Sequence, residues 1–169
     1  MFNPYCMREY LKPLVVVSRC LGFDDCRYNG QRLSNPVVEK LRGHVEFIDV
    51  CPEADVGLGV PRDPIRVVED EGLKLIQPAT GLEHTGKMNG FVQDFLSSLP
   101  EVDGFILKNR SPSCGIKDVK IYGAGDKSFV KGKGAGFFGR KVLESHPIAA
   151  IEDDGRLRHI RLRQDFLTR

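Results

Sequence analysis

Three cysteines each sit just past the end of an apolar, strand-like run. Cys20 follows Leu14-Val15-Val16-Val17, Cys51 follows residues 45–50, and Cys114 follows Phe105-Ile106-Leu107 after a short polar loop. In an open parallel α/β sheet, ligands bind in the crevice outside the carboxyl ends of the strands. Residues far apart in sequence therefore converge there on one point. Three thiolates at one point suit a soft metal or an iron–sulfur cluster. Three ligands rather than four leave one position open for chemistry, as catalytic metal sites do.

The remaining pattern alternates in the same way. Residues 14–18, 45–50, 104–108 and 148–151 read as strands, short apolar runs of the buried parallel kind. Asn35-Pro36 reads as a helix start, with an Asn cap and proline at the first helical position. Met88, Phe91, Val92, Phe95, Leu96 and Leu99 fall on one helical stripe, with Thr85 the expected cap and Pro100 the stop. Residues 65–69 and 73–77 flank Asp70-Glu71-Gly72 and suit a hairpin. The alternation predicts an α/β fold: a three-layer Rossmann-like or flavodoxin-like domain with a mainly parallel sheet, over residues 14–152. An extension, residues 1–13, precedes it. A polar, basic tail, residues 153–169, follows and reads as a linker to a second domain. Gly132, Gly134, Gly136 and Gly139 lead into a helix at 137–144. They invite a phosphate-loop reading, but the stretch follows no clean strand and lacks the lysine–serine pair of a Walker loop.

Composition narrows the function classes. A chain of 169 residues, 41% hydrophobic and 28% charged, is one globular domain with a real core. A net charge of +2 gives no argument for a nucleic-acid or membrane surface. No run approaches the roughly 18 apolar residues of a membrane span, and the first ten residues lack the order of a secretory signal. Five cysteines, an odd number, read as reduced thiols or metal ligands rather than a disulfide frame. The expected location is the cytoplasm.

Each strand-end loop carries other side chains suited to chemistry. The first reads Ser18-Arg19-Cys20-Leu21-Gly22-Phe23-Asp24-Asp25-Cys26-Arg27-Tyr28-Asn29-Gly30. Its step from Cys20 to Cys26 is longer than that of a zinc knuckle, and Cys26, like Cys6, is equally a small buried hydrophobe. In the second, Cys51-Pro52-Glu53 places a carboxylate where it can orient or deprotonate a water, the general-base role; a solvated loop carboxylate is the plainer alternative. Arg62, on the stiff segment Pro61 to Pro64, offers a planar donor fork to a heteroaromatic ligand or an anion. The third reads Lys108-Asn109-Arg110-Ser111-Pro112-Ser113-Cys114-Gly115. Its hydroxyls can hydrogen-bond a cluster sulfur or a substrate, Lys108 and Arg110 would offset thiolate charge, and Ser and Pro also make an ordinary turn. No Cys-x-x-Cys pair of a redox thiol enzyme is present. The histidines make no spaced pair with one another or with a nearby cysteine.

At these loops the chain resembles the thiouracil desulfurase family of bacteria and archaea. The resemblance rests on Ser18-x-Cys20 with Cys26-Arg27-Tyr28-Asn29-Gly30, on Cys51-Pro52-Glu53 with Pro61-Arg62-x-Pro64, and on Leu107-Lys108-x-x-Ser111-Pro112-Ser113-Cys114-Gly115. It implies a compact α/β domain holding a [4Fe-4S] cluster on Cys20, Cys51 and Cys114. The fourth iron would bind the sulfur of a thiocarbonyl substrate, water would attack the carbon, and the oxo product and sulfide would leave with no net electron transfer. Glu53 and Ser111 match the family's catalytic carboxylate and serine, and Ser18, Arg62 and Ser113 are expected to contact substrate. The implied substrate is 2-thiouracil or a related thiolated nucleobase or thioamide, with no membrane and no direct nucleic-acid partner. Arg19, Gly22-Phe23 and Asn29 depart from the common family pattern and look like the branch fused to a second, helical domain. Arg19, beside Cys20, bears on substrate choice. The alternative is a metal- or iron–sulfur-binding accessory module without turnover of its own.

Overall fold

The computed structural model describes residues 11–124 and 129–169, so Cys6 and most of the N-terminal extension lie outside the described residues. The elements run β1 (Leu14–Ser18), α1 (Pro36–Leu41), β2 (Glu46–Val50), α2 (Pro52–Asp55), β3 (Arg66–Glu69), β4 (Leu73–Ile76) and α3 (Thr85–Ser98). Then come β5 (Gly104–Leu107), β6 (Val119–Gly123), β7 (Val130–Gly134), α4 (Phe137–Ser145), β8 (Ala150–Asp153) and α5 (Ile160–Thr168).

Among the described residues, two four-stranded sheets form. The first is parallel throughout, in the order β2-β1-β5-β8. Its two central strands, β1 and β5, are almost continuously apolar because both faces are covered. Val16, Val50 and Phe105 belong to one core cluster, whereas Val15, Val17 and Ile106 belong to the other. This is the pattern expected of a parallel sheet. The chain leaves β1 for β2 on one side and returns as β5 on the other, so strand order reverses between β1 and β5. Such a switch point leaves a crevice at the carboxyl ends of the strands. The second sheet, in the order β4-β3-β6-β7, is mixed. The β3–β4 hairpin is antiparallel, as the Asp70-Glu71-Gly72 turn predicts, and β6 joins β3 in parallel.

The α/β class and the parallel sheet agree with the sequence reading, and several details differ. Val119-Lys120-Ile121-Tyr122-Gly123 and the first half of the glycine-rich stretch are the antiparallel pair β6–β7. Short length and the glycines at 132 and 134 conceal them, since glycine is a poor strand former. The long helix starts at Thr85, but His84 is its N-cap residue, and the Thr85 hydroxyl instead accepts the Leu75 N–H at 2.9 Å. The tail is ordered. Residues 156–158 form a 3-10 turn, and α5 follows with Phe166 buried beside β8. A Cβ at Gly104 would meet the Ala150 carbonyl oxygen at 2.8 Å and the Phe166 ring at 3.4 Å, which explains a glycine at the start of β5. Among the described residues no helix is long and apolar enough to cross a membrane.

Candidate active site

The sheet delivers the strand-end residues to one place. β1 ends in Ser18, whose hydroxyl accepts the Lys108 N–H from the end of β5 at 2.8 Å, closing the floor of the crevice. The loop after β1 brings Cys20 and Cys26, the end of β2 brings Cys51, and the loop after β5 brings Ser111, Ser113 and Cys114. All of these, with Glu53 and Arg62, line a cavity of about 370 Å³. Every residue assigned to the site from sequence is therefore brought to it. Cys26, whose role the spacing left open, lines it as a fourth buried thiol.

Local structure explains the placement of the acid. Pro52 sits in the first turn of α2, where a missing N–H costs nothing, and the turn presents Glu53 inward, 9% exposed. Its two carboxylate oxygens have separate duties. Oε2 accepts Arg62 Nη2 at 2.7 Å and Nε at 3.1 Å. Oε1 accepts the Ser113 hydroxyl at 2.7 Å and the Ser111 hydroxyl at 3.2 Å. Ser113 is fully buried, and its single proton is committed to Glu53. Ser111 is less buried, makes the longer bond, and its oxygen also accepts the Cys114 N–H at 3.1 Å. Of the two hydroxyls, Ser111 is the one free to turn toward a ligand.

Three of the four thiols, Cys20, Cys26 and Cys114, are poor acids. Burial pushes Cys20 up to about 12, with the neighbouring Cys51 sulfur adding to the rise and Lys108 opposing it. Cys114 is pushed up further, again by burial, partly offset by a hydrogen bond to Ser18. Cys26 and Cys51 share a hydrogen bond that holds Cys51 down to about 7 and Cys26 well above the usual thiol range. A coordinated metal deprotonates a thiol outright, so a cationic metal group would supply counter-charge to the raised thiols. Among the described residues, no three Cys, His, Asp or Glu side chains gather closely enough to share a single ion. The donor set fits a soft, thiolate-loving group seated across the cavity.

Residues 15–154 match the family described as 2-thiouracil desulfurase. The chain belongs to the 2-thiouracil desulfurase family. It is similar to the Bacillus subtilis (strain 168) protein YbbK, 33% identical over 110 residues that make up 60% of this chain and 73% of that one. It is also similar to a solved structure described as a [4Fe-4S]-dependent thiouracil desulfidase, TudS. That likeness has 26% identity and a TM-score of 0.68, and it covers 91% of this chain and 99% of TudS.

For a desulfurase of this family, two contacts were not foreseeable from spacing. The Arg19 guanidinium is taken up by acids of the β2–α2 corner, with Nε on Asp49 at 2.6 Å and Nη1 on Asp55 at 2.7 Å. Asp55 in turn accepts the Cys51 N–H at 3.3 Å. Arg19 thus ties the Cys20 loop to the turn that carries Cys51 and Glu53. Lys108 is bound to both oxygens of Asp154, at 2.9 and 3.0 Å, and Asp154 also accepts the Asn109 N–H at 2.7 Å. That pair fixes the start of the Cys114 loop to the end of β8. No sequence signal marks Asp154 as the partner.

Proposed function

We infer that the protein is an iron–sulfur-dependent, non-redox desulfidase that converts the thiocarbonyl of 2-thiouracil, or of a related thiolated nucleobase, to a carbonyl with release of sulfide. One observation carries the reading. In a chain of the 2-thiouracil desulfurase family, buried thiols and a hydrogen-bonded carboxylate–hydroxyl network line one cavity at the switch point of a parallel sheet. Its volume of about 370 Å³ lies within the range of small-molecule sites.

In this reading Cys20, Cys51 and Cys114 hold a [4Fe-4S] cluster. Bound there, it supplies Lewis-acid polarisation of the thiocarbonyl sulfur. Glu53, paired with Arg62, takes a proton from a water as that water's oxygen bonds to the thiocarbonyl carbon. As the C–S bond breaks, Glu53 returns that proton to the departing sulfur and then takes the second proton from the new hydroxyl as the carbonyl forms, so no electron is gained or lost. Ser113 orients the carboxylate, and Ser111 hydrogen-bonds the heterocycle. We also read the β2-β1-β5-β8 sheet as Rossmann-like, on the strength of its order reversal. The reduced thiols suit a cytoplasmic setting.

Anaerobic purification with cluster reconstitution, followed by sulfide release from a panel of thiolated nucleobases, tests the proposal. Uracil and sulfide in equal amounts from 2-thiouracil, and loss of colour in Cys20→Ala, Cys51→Ala and Cys114→Ala, are expected. A fully iron-loaded protein that releases sulfide from no thiolated base would instead favour the accessory-module reading.

A further inference from the structure

We propose that Arg62 is a positioning residue for Glu53 rather than a ligand of the substrate. The inference rests on the assignment of Glu53 as the base. A guanidinium has five N–H donors and accepts nothing, so its commitments can be counted. Two of the three nitrogens, Nε and Nη2, donate to the same carboxylate oxygen, Glu53 Oε2, at 3.1 and 2.7 Å. The third, Nη1, donates to the Cys26 carbonyl at 3.0 Å and to the Gly59 carbonyl at 2.9 Å. Four donors are thus spent on the protein itself. The side chain is only 4% exposed, which leaves little of the fork to face a heterocycle.

The geometry assigns two tasks to this one group. It pins Oε2, so that Oε1 is presented to Ser111 and Ser113. A carboxylate anchored through one oxygen by a cation and through the other by hydroxyls cannot rotate, and rotation is what a general base must avoid. It also pins the Cys26 carbonyl, which accepts the Cys51 thiol at 3.7 Å. Nη1 therefore braces the backbone beside Cys51 directly. The Arg62 main chain is fixed as well, its N–H donating to the Tyr28 carbonyl at 2.7 Å. The arginine clasps three segments, the Cys26 loop, the α2 turn and the strap before β3.

The test is a double-mutant cycle on reconstituted protein, with Arg62→Gln, Glu53→Gln and the pair. It reads kcat and KM for 2-thiouracil, iron per chain, and the Kd of 2-thiouracil by equilibrium dialysis in the Glu53→Gln background, where turnover stops. Positioning predicts a fall in kcat on the order of 100-fold for Arg62→Gln, the scale of a misplaced catalytic group. KM and iron content should stay within twofold, and Arg62→Gln should add nothing in the Glu53→Gln background, in turnover or in Kd. Arg62→Lys, which keeps the charge without the fork, should recover part of the kcat. If Arg62→Gln does not fold, Arg62→Lys takes its place in the same cycle. A tenfold weaker Kd in the double variant, or a tenfold rise in KM at unchanged kcat, overturns the proposal and restores Arg62 as a substrate ligand. Unchanged kinetics overturn it as well. Normal turnover by Glu53→Gln alone refutes the base assignment instead, a result read separately from the arginine.

Discussion

Replacing Gly136 by alanine is the sharpest test of how the Cys114 loop is held. The first turn of α4 lies directly against that loop. Gly136 N–H donates to the Gly115 carbonyl at 2.7 Å, Phe137 N–H to Pro112 at 3.2 Å, and Gly139 N–H to Ser113 at 3.0 Å. Helix N-terminal N–H groups have no partner within the helix, and here the loop's carbonyls serve them. A Cβ at position 136 would lie 2.5 Å from both the Pro112 and Ser113 carbonyl oxygens, where ordinary contact begins at 3.4 Å. Both obstacles are backbone, so the methyl cannot be accommodated by a side-chain rotation. Helix and loop must separate by about 0.9 Å, the difference of those two distances, which carries the longer bonds past hydrogen-bonding range. Overpacking of this kind costs about 1–3 kcal/mol, and each bond lost adds about 1 kcal/mol. A total near 3 kcal/mol lowers Tm by about 6–12 °C in a chain of this size. Because Ser113 and Cys114 move with the loop, kcat should fall on the order of 100-fold, with iron content reduced. Gly132→Ala, on β7 with nothing within 4 Å of the added Cβ, is the control and should stay within about 0.5 kcal/mol of wild type. Thermal unfolding, iron per chain and sulfide release measure all three. A Gly136→Ala protein with native Tm, iron and turnover would refute the packing account.

Other expectations follow from single contacts. Phe166→Ala empties the buried seat of α5 and should cost about 3 kcal/mol, seen as a Tm lowered by several degrees; an unchanged Tm would mean that the C-terminal helix is dispensable. Arg19→Ala removes two partly exposed ion pairs and should cost about 1 kcal/mol. Its guanidinium is already engaged, so the ranking of thiolated bases by kcat/KM should not change, and a reordered ranking would show that it meets the substrate. His146 packs edge-on to Phe105 at 4.9 Å, and burial lowers its pKa below the ordinary 6.5. The folded state therefore binds fewer protons than the unfolded one just below that value, so stability is full above it and falls as pH drops. Denaturant unfolding at pH 7 and pH 5 should show a smaller loss for His146→Gln than for wild type.

Much of the site is legible in the chain because strand ends are legible. Runs such as Leu14-Val15-Val16-Val17 are apolar at every position, which only a sheet covered on both faces requires, and cysteines just past them must meet at its edge. The Cys51-Pro52-Glu53 step is equally readable, since proline at a first helical position fixes the turn that points the acid inward. What stays hidden depends on contacts between distant polar groups. Arg62 between prolines looks like a fork held out to a ligand, and only the fold shows the Glu53 and Cys26 oxygens already filling it. Arg19 is of the same kind, its partners Asp49 and Asp55 being indistinguishable from solvated carboxylates. The glycine-rich stretch misleads for a different reason. Gly136 serves close backbone approach and Gly132 lies on an edge strand, and neither use leaves a periodic signature. The tail hides its helix because Phe166 is the one buried residue of α5.

The hydroxyl floor, the acid cradle and the lysine–carboxylate lock join residues 90, 60 and 46 positions apart in the chain. None of them can exist in a half-made polypeptide. Lys108 has no carboxylate opposite it until Asp154 has left the ribosome, and Glu53 has no hydroxyl partner until Ser111 and Ser113 have. The walls of the cavity are thereby braced late, only once the residues through Asp154 are in the chain.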